Sequence, residues 1–179
     1  MHPRADEELQ LSLKRGIEKF ARTVSKQPLG LAKFAPEPWG NIRLCFENAR
    51  RKASESGGHP RYGWIFQHKR VTAIPGPGYL SAIHHAVWQA PDGHLYDVTP
   101  LHPDTAHHPL AVGADTLFLV DDEAQPIQRG RILGPRPTKF FALDERVNML
   151  VHVQQLQARE DEDCIASYIA AERATNRHS

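Results

Sequence analysis

The sequence lacks several features that define common protein classes. Only two of its 179 residues are cysteines, which are too few for a disulfide framework or a cysteine-rich zinc site. It contains no apolar run of the roughly 18 residues that a membrane span needs, and its first residues lack the apolar core of a secretory signal. We therefore expect a cytoplasmic protein with no membrane partner.

An excess of charge of one sign is also missing. The chain has 22 basic and 21 acidic residues, and its formal net charge is +1. A nucleic-acid-binding protein usually carries a clear excess of basic residues, so no nucleic-acid partner is predicted. Hydrophobic residues make up 40% and charged residues 24% of the chain, which is typical of a globular protein. The length favours one domain that spans residues 1–179.

The apolar periodicity predicts an α+β fold. Helical spacing covers residues 7–25, 42–55 and 145–174, with a break expected near the acidic run at 159–163. Strands are predicted at 61–68, 79–90, 94–99, 116–120 and 139–143, and loops at 27–39 and 74–78, which are rich in proline and glycine. The expected arrangement is an antiparallel β-sheet packed against a helix that carries a cysteine near its N-terminus, with N- and C-terminal flanking helices.

Cys45 is the cysteine whose surroundings favour reactivity. Asn41 has the side chain of a helix N-cap, which would put Cys45 near the first turn, where the positive end of the helix dipole favours thiolate over thiol. Basic residues nearby add to that charge: Arg43, Arg50, Arg51 and Lys52. The alternative is a small buried residue on an apolar helix face. Cys164 directly follows three acidic residues and is predicted to be structural, because activated thiols need electropositive surroundings.

The dipeptide His84-His85 offers two candidate bases for the thiol. Residues 91–93, Pro-Asp-Gly, fit a three-residue hairpin loop with the glycine in the left-handed conformation. In that register Val87 faces Asp97, so His85 and Asp97 share a face, two residues apart along the ladder. A two-residue loop would instead bring His84 to that face. The pattern is also compatible with an ordinary hydrogen-bonded strand histidine and a strand-end carboxylate.

The order of these residues resembles that in papain-like and transglutaminase-like enzymes, where a helix that starts with cysteine precedes a strand with histidine and a neighbouring strand with aspartate. Here 40 residues separate Cys45 from His85 and 12 separate His85 from Asp97, as in the compact members of this superfamily. A finer pattern is similar to a group of small bacterial proteins: Cys45-Phe46-Glu47-Asn48, Gly63-Trp64, His85-Ala86-Val87-Trp88, Pro91-Asp92-Gly93 and Asp97-Val98-Thr99-Pro100.

The resemblance implies a thiol hydrolase that cleaves an amide or peptide bond without a cofactor. Cys45 would be the nucleophile, His85 the base, and Asp97 the group that orients the imidazole. The backbone N–H of Cys45 and the side chain of Asn41 would bind the oxyanion. Papain has a glutamine a few residues before its cysteine for this purpose, and this sequence has none there.

Two tryptophans are candidates for substrate binding. Trp64 and Trp88, with the stiff loop at 74–78, would wall the cleft against a peptide or protein substrate. The alternative is that they are ordinary core and turn residues, because aromatic side chains usually serve packing first.

Three other functions are compatible with the sequence. The same site could transfer the acyl group to an amine, as transglutaminases and acetyltransferases do, or the domain could be an inactive module that binds a peptide or a protein. The third is a histidine-based metal protein. Its ligands would come from His102, Asp104, His107 and His108, with His84 or His94. The sequence has no HExxH or other ordered ligand spacing, so no metal is predicted.

Overall fold

The computed structural model describes residues 3–103, 108–129 and 132–176. The elements within these ranges are α1 (Pro3–Val24), β1 (Leu29–Phe34), α2 (Cys45–Ser56), β2 (His59–Val71), β3 (Ile74–Gln89), β4 (Leu95–Asp97), β5 (Ala111–Val112), β6 (Asp115–Val120), β7 (Ile127–Arg129), β8 (Ile132–Gly134), β9 (Lys139–Ala142) and α3 (Val147–Asn176). The predicted α+β class is confirmed, and the main sheet is largely antiparallel. Of the helices described, none is long and apolar enough to cross a membrane.

Five strands form a sheet that closes on itself. The pairing order is β1-β4-β3-β2-β6, and β1 pairs with β6 as well. The β1–β4 pair is parallel, and the other pairs in the ring are antiparallel. The loop predicted at 27–39 is therefore wrong for Leu29–Phe34. Pro28 and Pro36 lie just outside this run, so every residue within it keeps the N–H group that strand pairing needs.

The apolar core lies on both faces of the closed sheet. On one face, α1 packs Leu13 and Phe20 into a cluster with Trp64 and Phe66. Ile65 points to the opposite face, where the strands enclose a second cluster: Ala32, Ile65, Val87 and Phe118. The helical spacing predicted over residues 7–25 is confirmed, because its apolar residues meet the first cluster on one face of α1: Leu13 and Phe20 are part of it, and Leu9, Ile17 and Val24 pack against it.

The hairpin of β2 and β3 is longer than predicted. Its pairing reaches Val71 and Ile74, so the loop predicted at 74–78 is wrong. Gly78 permits the extension, because its φ is 87° and a Cβ there would lie 2.1 Å from the carbonyl oxygen of Lys69. The ladder is irregular between Lys69 and Val71, as at a β-bulge.

Helix α3 runs without the break predicted at 159–163. Its middle is held against the segment that leads into β9: the N–H of Thr138 donates to Glu160 Oε1 at 2.9 Å, and the N–H of Phe140 donates to Gln157 Oε1 at 3.2 Å. These contacts and the high helix propensity of glutamate, glutamine and arginine outweigh repulsion within the acidic run.

We expect Gly63→Ala to destabilise the fold because β2 and β6 approach each other closely at this residue. A Cβ there would lie 2.0 Å from the carbonyl oxygen of Leu119 and 2.9 Å from Cζ of Phe118, so the backbone of β6 would have to move. Overpacking of a core costs about 1–3 kcal/mol, and we expect a loss near the top of that range, measured by urea unfolding.

Gly30→Ala is the matched control for this prediction, because Gly30 lies on β1, the other strand that pairs with β6, where it is opposite Phe118. The nearest atom to its added Cβ is the carbonyl oxygen of Phe118 at 3.8 Å. Its free energy of unfolding should stay within about 0.5 kcal/mol of the parent. Equal losses in the two variants would contradict the close approach at Gly63.

Candidate active site

Cys45 is the first residue of α2. The helix thus begins three residues later than predicted, and Asn41 is not its N-cap: Leu44 precedes the helix and makes no side-chain cap hydrogen bond. The cause is Asn48, whose Oδ1 accepts the Asn41 N–H at 3.1 Å and whose Nδ2 donates to the Asn41 carbonyl at 2.8 Å. The first N–H groups of a helix have no acceptor within it, so the thiol lies at the positive end of the helix dipole.

The hairpin of β3 and β4 has the predicted register. Trp88 pairs with Tyr96 and Gln89 with Leu95, and Gly93 in the three-residue loop has a φ of 89°. His85 and Asp97 consequently lie on one face, and His85 Nε2 is 3.1 Å from Asp97 Oδ1. The structure therefore brings together the two side chains that the loop chemistry selected.

Asp97 is buried, and both of its carboxylate oxygens have partners. Its exposed fraction is only 2%. Oδ1 accepts from the N–H of Thr99 at 3.2 Å as well as from His85, and Oδ2 accepts from the Thr116 hydroxyl at 3.5 Å. An ionised carboxylate is an acceptor only, so this set of donors suits the charged form.

His85 is the group with the most altered electrostatics in the site. Burial alone lowers its pKa, but the negative charges of Asp97 and Cys45, together with hydrogen bonds to both, raise that pKa well above its usual range. Nε2 is bonded to Asp97, so Nδ1 is the nitrogen available to Cys45. This raised pKa favours the positively charged form of the imidazole.

His84 lies on the other face of β3 and has a different role. Its Nδ1 accepts the N–H of Arg136 at 3.0 Å, so Nε2 carries the proton and donates to the Ala124 carbonyl at 2.7 Å. Its ring packs against Phe46 and Trp64, with centroid distances of 4.9 and 5.2 Å. Burial, and then the charge of Arg136, lower the pKa of His84 to about 4. His84 is thus a neutral residue that connects β3 to two loops.

A cavity of about 270 Å³ opens at Cys45 and His85. Most of its wall is apolar, formed by residues that include Ile42, Phe46, Ile65, Ile83, Leu101, Leu133 and Pro135. Arg43 and His102 also line it. Two larger depressions of about 670 Å³ each have neither a cysteine nor a histidine in their lining. Of these three depressions, the small cavity is the one lined by reactive groups.

Three residues predicted for substrate or oxyanion binding lie outside this lining. Trp64 is 1% exposed and belongs to the core. Its buried indole N–H has a partner there, because Nε1 donates to Asp121 at 2.8 Å. Trp88 donates to the carbonyl of Gly57 at 2.8 Å and packs beside the end of α2. The prediction that these tryptophans wall the cleft does not fit their positions. Asn41 is exposed and is likewise absent from the cavity wall.

Asn48 and Thr99 connect α2 to Asp97, and although both belong to the pattern quoted from the sequence, neither was assigned a role there. Asn48 is 2% exposed, and besides holding Asn41 it donates from Nδ2 to the hydroxyl of Thr99 at 3.3 Å. Thr99 in turn donates its N–H to Asp97. Helical spacing gave no signal that Asn48 is buried, because it falls on the polar side of the predicted helix; its position one turn after Cys45 was the available clue.

The metal-site alternative gains no ligand set. Among the residues that the structure describes, no group of three or more histidine, cysteine or acidic side chains is placed to hold a metal ion. Asp104 and His107, two of the ligands considered, lie outside the described residues.

The second cysteine, Cys164, is half-buried on α3.

The low pKa of His84 predicts a loss of stability in mild acid. Between its unfolded value of 6.5 and its folded value of about 4, the unfolded chain binds a proton that the folded chain does not bind. Stability should therefore fall as the pH drops through this window, by about 2 kcal/mol between pH 7 and pH 5. His84→Gln, which keeps a donor for Ala124 but cannot titrate, should remove this part of the slope in urea unfolding.

His59→Gln is the control for this titration, since His59 is exposed and its removal should leave the pH slope of the parent chain. If the His84→Gln and parent curves ran parallel between pH 7 and pH 5, the buried neutral imidazole would be disproved.

Comparisons with known proteins give no independent assignment of this site. Neither models of protein families, nor curated proteins, nor solved structures match the chain.

Proposed function

We propose that the protein is a cysteine-dependent hydrolase that cleaves an amide or peptide bond through a thioester on Cys45. The observation that carries the proposal is the buried grouping of three side chains, in which Asp97 Oδ1 is 3.1 Å from His85 Nε2 and Cys45 acts on the same imidazole through its charge and a hydrogen bond. This order of thiol, imidazole and carboxylate is what a thiol nucleophile requires. The papain-like or transglutaminase-like assignment remains part of the same proposal.

The acylation step uses the charged state of His85. The sulfur of Cys45 attacks the carbonyl carbon, and the C–N bond breaks as the imidazolium of His85 gives its Nδ1 proton to the leaving amine. Asp97 keeps the imidazole in this orientation and stabilises its charged form. The products of this step are a free amine and a thioester on Cys45.

Stabilisation of the oxyanion would come from the start of α2. The N–H of Cys45 is the first of the helix and has no intrahelical acceptor, and the dipole adds partial positive charge. The Asn41 side chain, which the sequence suggested as a second donor to the oxyanion, lies outside the cavity wall. We therefore propose no role for it in oxyanion binding.

Hydrolysis of the thioester completes the cycle. Neutral His85 accepts a proton from a water molecule, whose oxygen attacks the thioester carbonyl. The C–S bond breaks, the sulfur regains its negative charge beside the imidazolium, and a carboxylic acid is released. The mostly apolar wall of the cavity also suits an amine acceptor with an apolar chain, so acyl transfer is the second candidate function.

The direct test is a stopped-flow assay with p-nitrophenyl acetate as an activated acyl donor. We expect a burst of one equivalent of nitrophenolate, an acetyl group on Cys45 by mass spectrometry, and continued release as water removes it. Asp97→Asn should lower the steady rate by about a hundredfold or more, because the imidazole loses its orienting charge. Cys164→Ser is the control and should keep the burst.

Three outcomes separate the candidate functions. Steady turnover in buffer supports the hydrolase. A burst that stalls until a primary amine is added, with amide as the product, favours acyl transfer. A chain with no burst, or one whose Cys45→Ser variant gives the same burst, would leave an inactive binding module as the better description.

A further inference from the structure

Arg43 has an unusual backbone conformation next to the candidate site. Its φ is 69°, and among the described residues it is the only non-glycine with a positive φ. For a residue with a side chain this conformation is unfavourable, because Cβ comes close to the following carbonyl oxygen. Arg43 lies two residues before Cys45, in the turn that leads into α2. Such strain persists where the surrounding structure requires it, often at a binding site.

Arg43 is a solvent-exposed residue of the cavity wall. It lines the wall together with Cys45 and His85, and its Nη2 lies 2.9 Å from Nε2 of His102. An arginine side chain has donors and no acceptor, so Nε2 of His102 must accept. The contact fixes the direction of a guanidinium that carries the charge.

The cavity has more positive than negative charge available to a ligand. Among its described lining residues Asp97 is the only carboxylate, and its oxygens are occupied by His85, Thr99 and Thr116. Arg43 forms no ion pair with any carboxylate that the structure describes. A guanidinium held at a cavity without a carboxylate partner is suited to bind one from a ligand.

We infer that the substrate carries a free carboxylate a few bonds from the scissile carbonyl, bound by Arg43, with a small apolar group in the cavity of about 270 Å³. An apolar α-amino acid has this chemistry, either as the C-terminal residue of a peptide or in an N-acyl amino acid. The inference rests on the proposed function, because it assigns a substrate class to the same thiol.

Two alkylating reagents of nearly equal size test the inference without a known substrate. Iodoacetate carries a carboxylate beside its reactive carbon, and iodoacetamide is its neutral counterpart. The ratio of their rate constants at Cys45, measured by mass spectrometry, should exceed the ratio at Cys164, which follows three acidic residues. Both reagents react with the same thiol, so any change in the reactivity of that thiol affects both rate constants and cancels in their ratio. The preference should weaken with added salt.

Variants then assign the preference to one side chain. Arg43→Asn, which suits a left-handed φ, should reduce the iodoacetate-to-iodoacetamide ratio at Cys45 by about fivefold to tenfold, whereas Arg43→Lys should retain part of it. Arg51→Gln removes a charge from α2 outside the cavity wall and should leave the ratio unchanged. Circular dichroism of each variant checks the fold.

The outcomes distinguish this inference from the proposed function. If Cys45 reacts with both reagents and Arg43→Asn leaves the ratio as in the parent, the carboxylate site is refuted while the reactive thiol stands. If Cys45 reacts with neither reagent, the thiol proposal fails and the carboxylate site fails with it.

Matched amide substrates separate the two sources of the carboxylate. Peptides with a free C-terminal apolar residue should be cleaved faster than their C-terminal amides if the ligand is a peptide end. N-acetyl amino acids should be preferred if it is an acylated amino acid. Either preference must be lost in Arg43→Asn, and equal rates for acid and amide forms in the parent would overturn the inference.

Discussion

The buried contact between His85 and Asp97 is the interaction on which the rest of the candidate site depends. Charged groups removed from water are tolerated only if their hydrogen-bonding atoms find partners. The closed sheet supplies those partners, because Asp97 ends β4, between β3 and β1, and Thr116 on β6 reaches its second oxygen. Closure by β1 is therefore what allows a carboxylate and an imidazolium to remain buried together, and this pair gives the sulfur of Cys45 a fixed positive neighbour.

The position of the sulfur depends on one buried amide. Asn48 fixes the turn at Asn41 through two hydrogen bonds and reaches Thr99 through a third. Thr99 donates to Asp97, so the start of α2 and the end of β4 are connected by four hydrogen bonds through side chains. Arg43, with its left-handed conformation, lies in the same turn, which the Leu44 N–H closes on the Asn41 carbonyl at 3.3 Å. The proposed nucleophile Cys45, the proposed carboxylate site at Arg43 and the strained backbone of Arg43 thus all lie in one short segment.

The sequence predicted those parts of the site that local rules determine. A Pro-Asp-Gly loop sets the hairpin register, and the register alone places His85 beside Asp97. Long-range contacts determine the rest. Strand β1 was predicted as a loop because its pairing partners, β4 and β6, are distant in the chain. The start of α2 was misplaced because a helical side chain, Asn48, competes for the backbone of Asn41. Trp64 follows the core alternative, and its partner Asp121 is distant in the chain, so the sequence could not decide between the two roles.

The charge of His85 is the central claim, and nitrogen NMR of its ring tests it most directly. At about pH 8, well above the usual His pKa of about 6.5, the account predicts that Nδ1 and Nε2 of His85 both carry protons in the parent chain. The proton on one of them should be lost at lower pH in Asp97→Asn than in the parent, because the raised pKa depends first on the Asp97 charge. A His85 ring that is already neutral at pH 7, or whose titration ignores Asp97→Asn, would contradict the account.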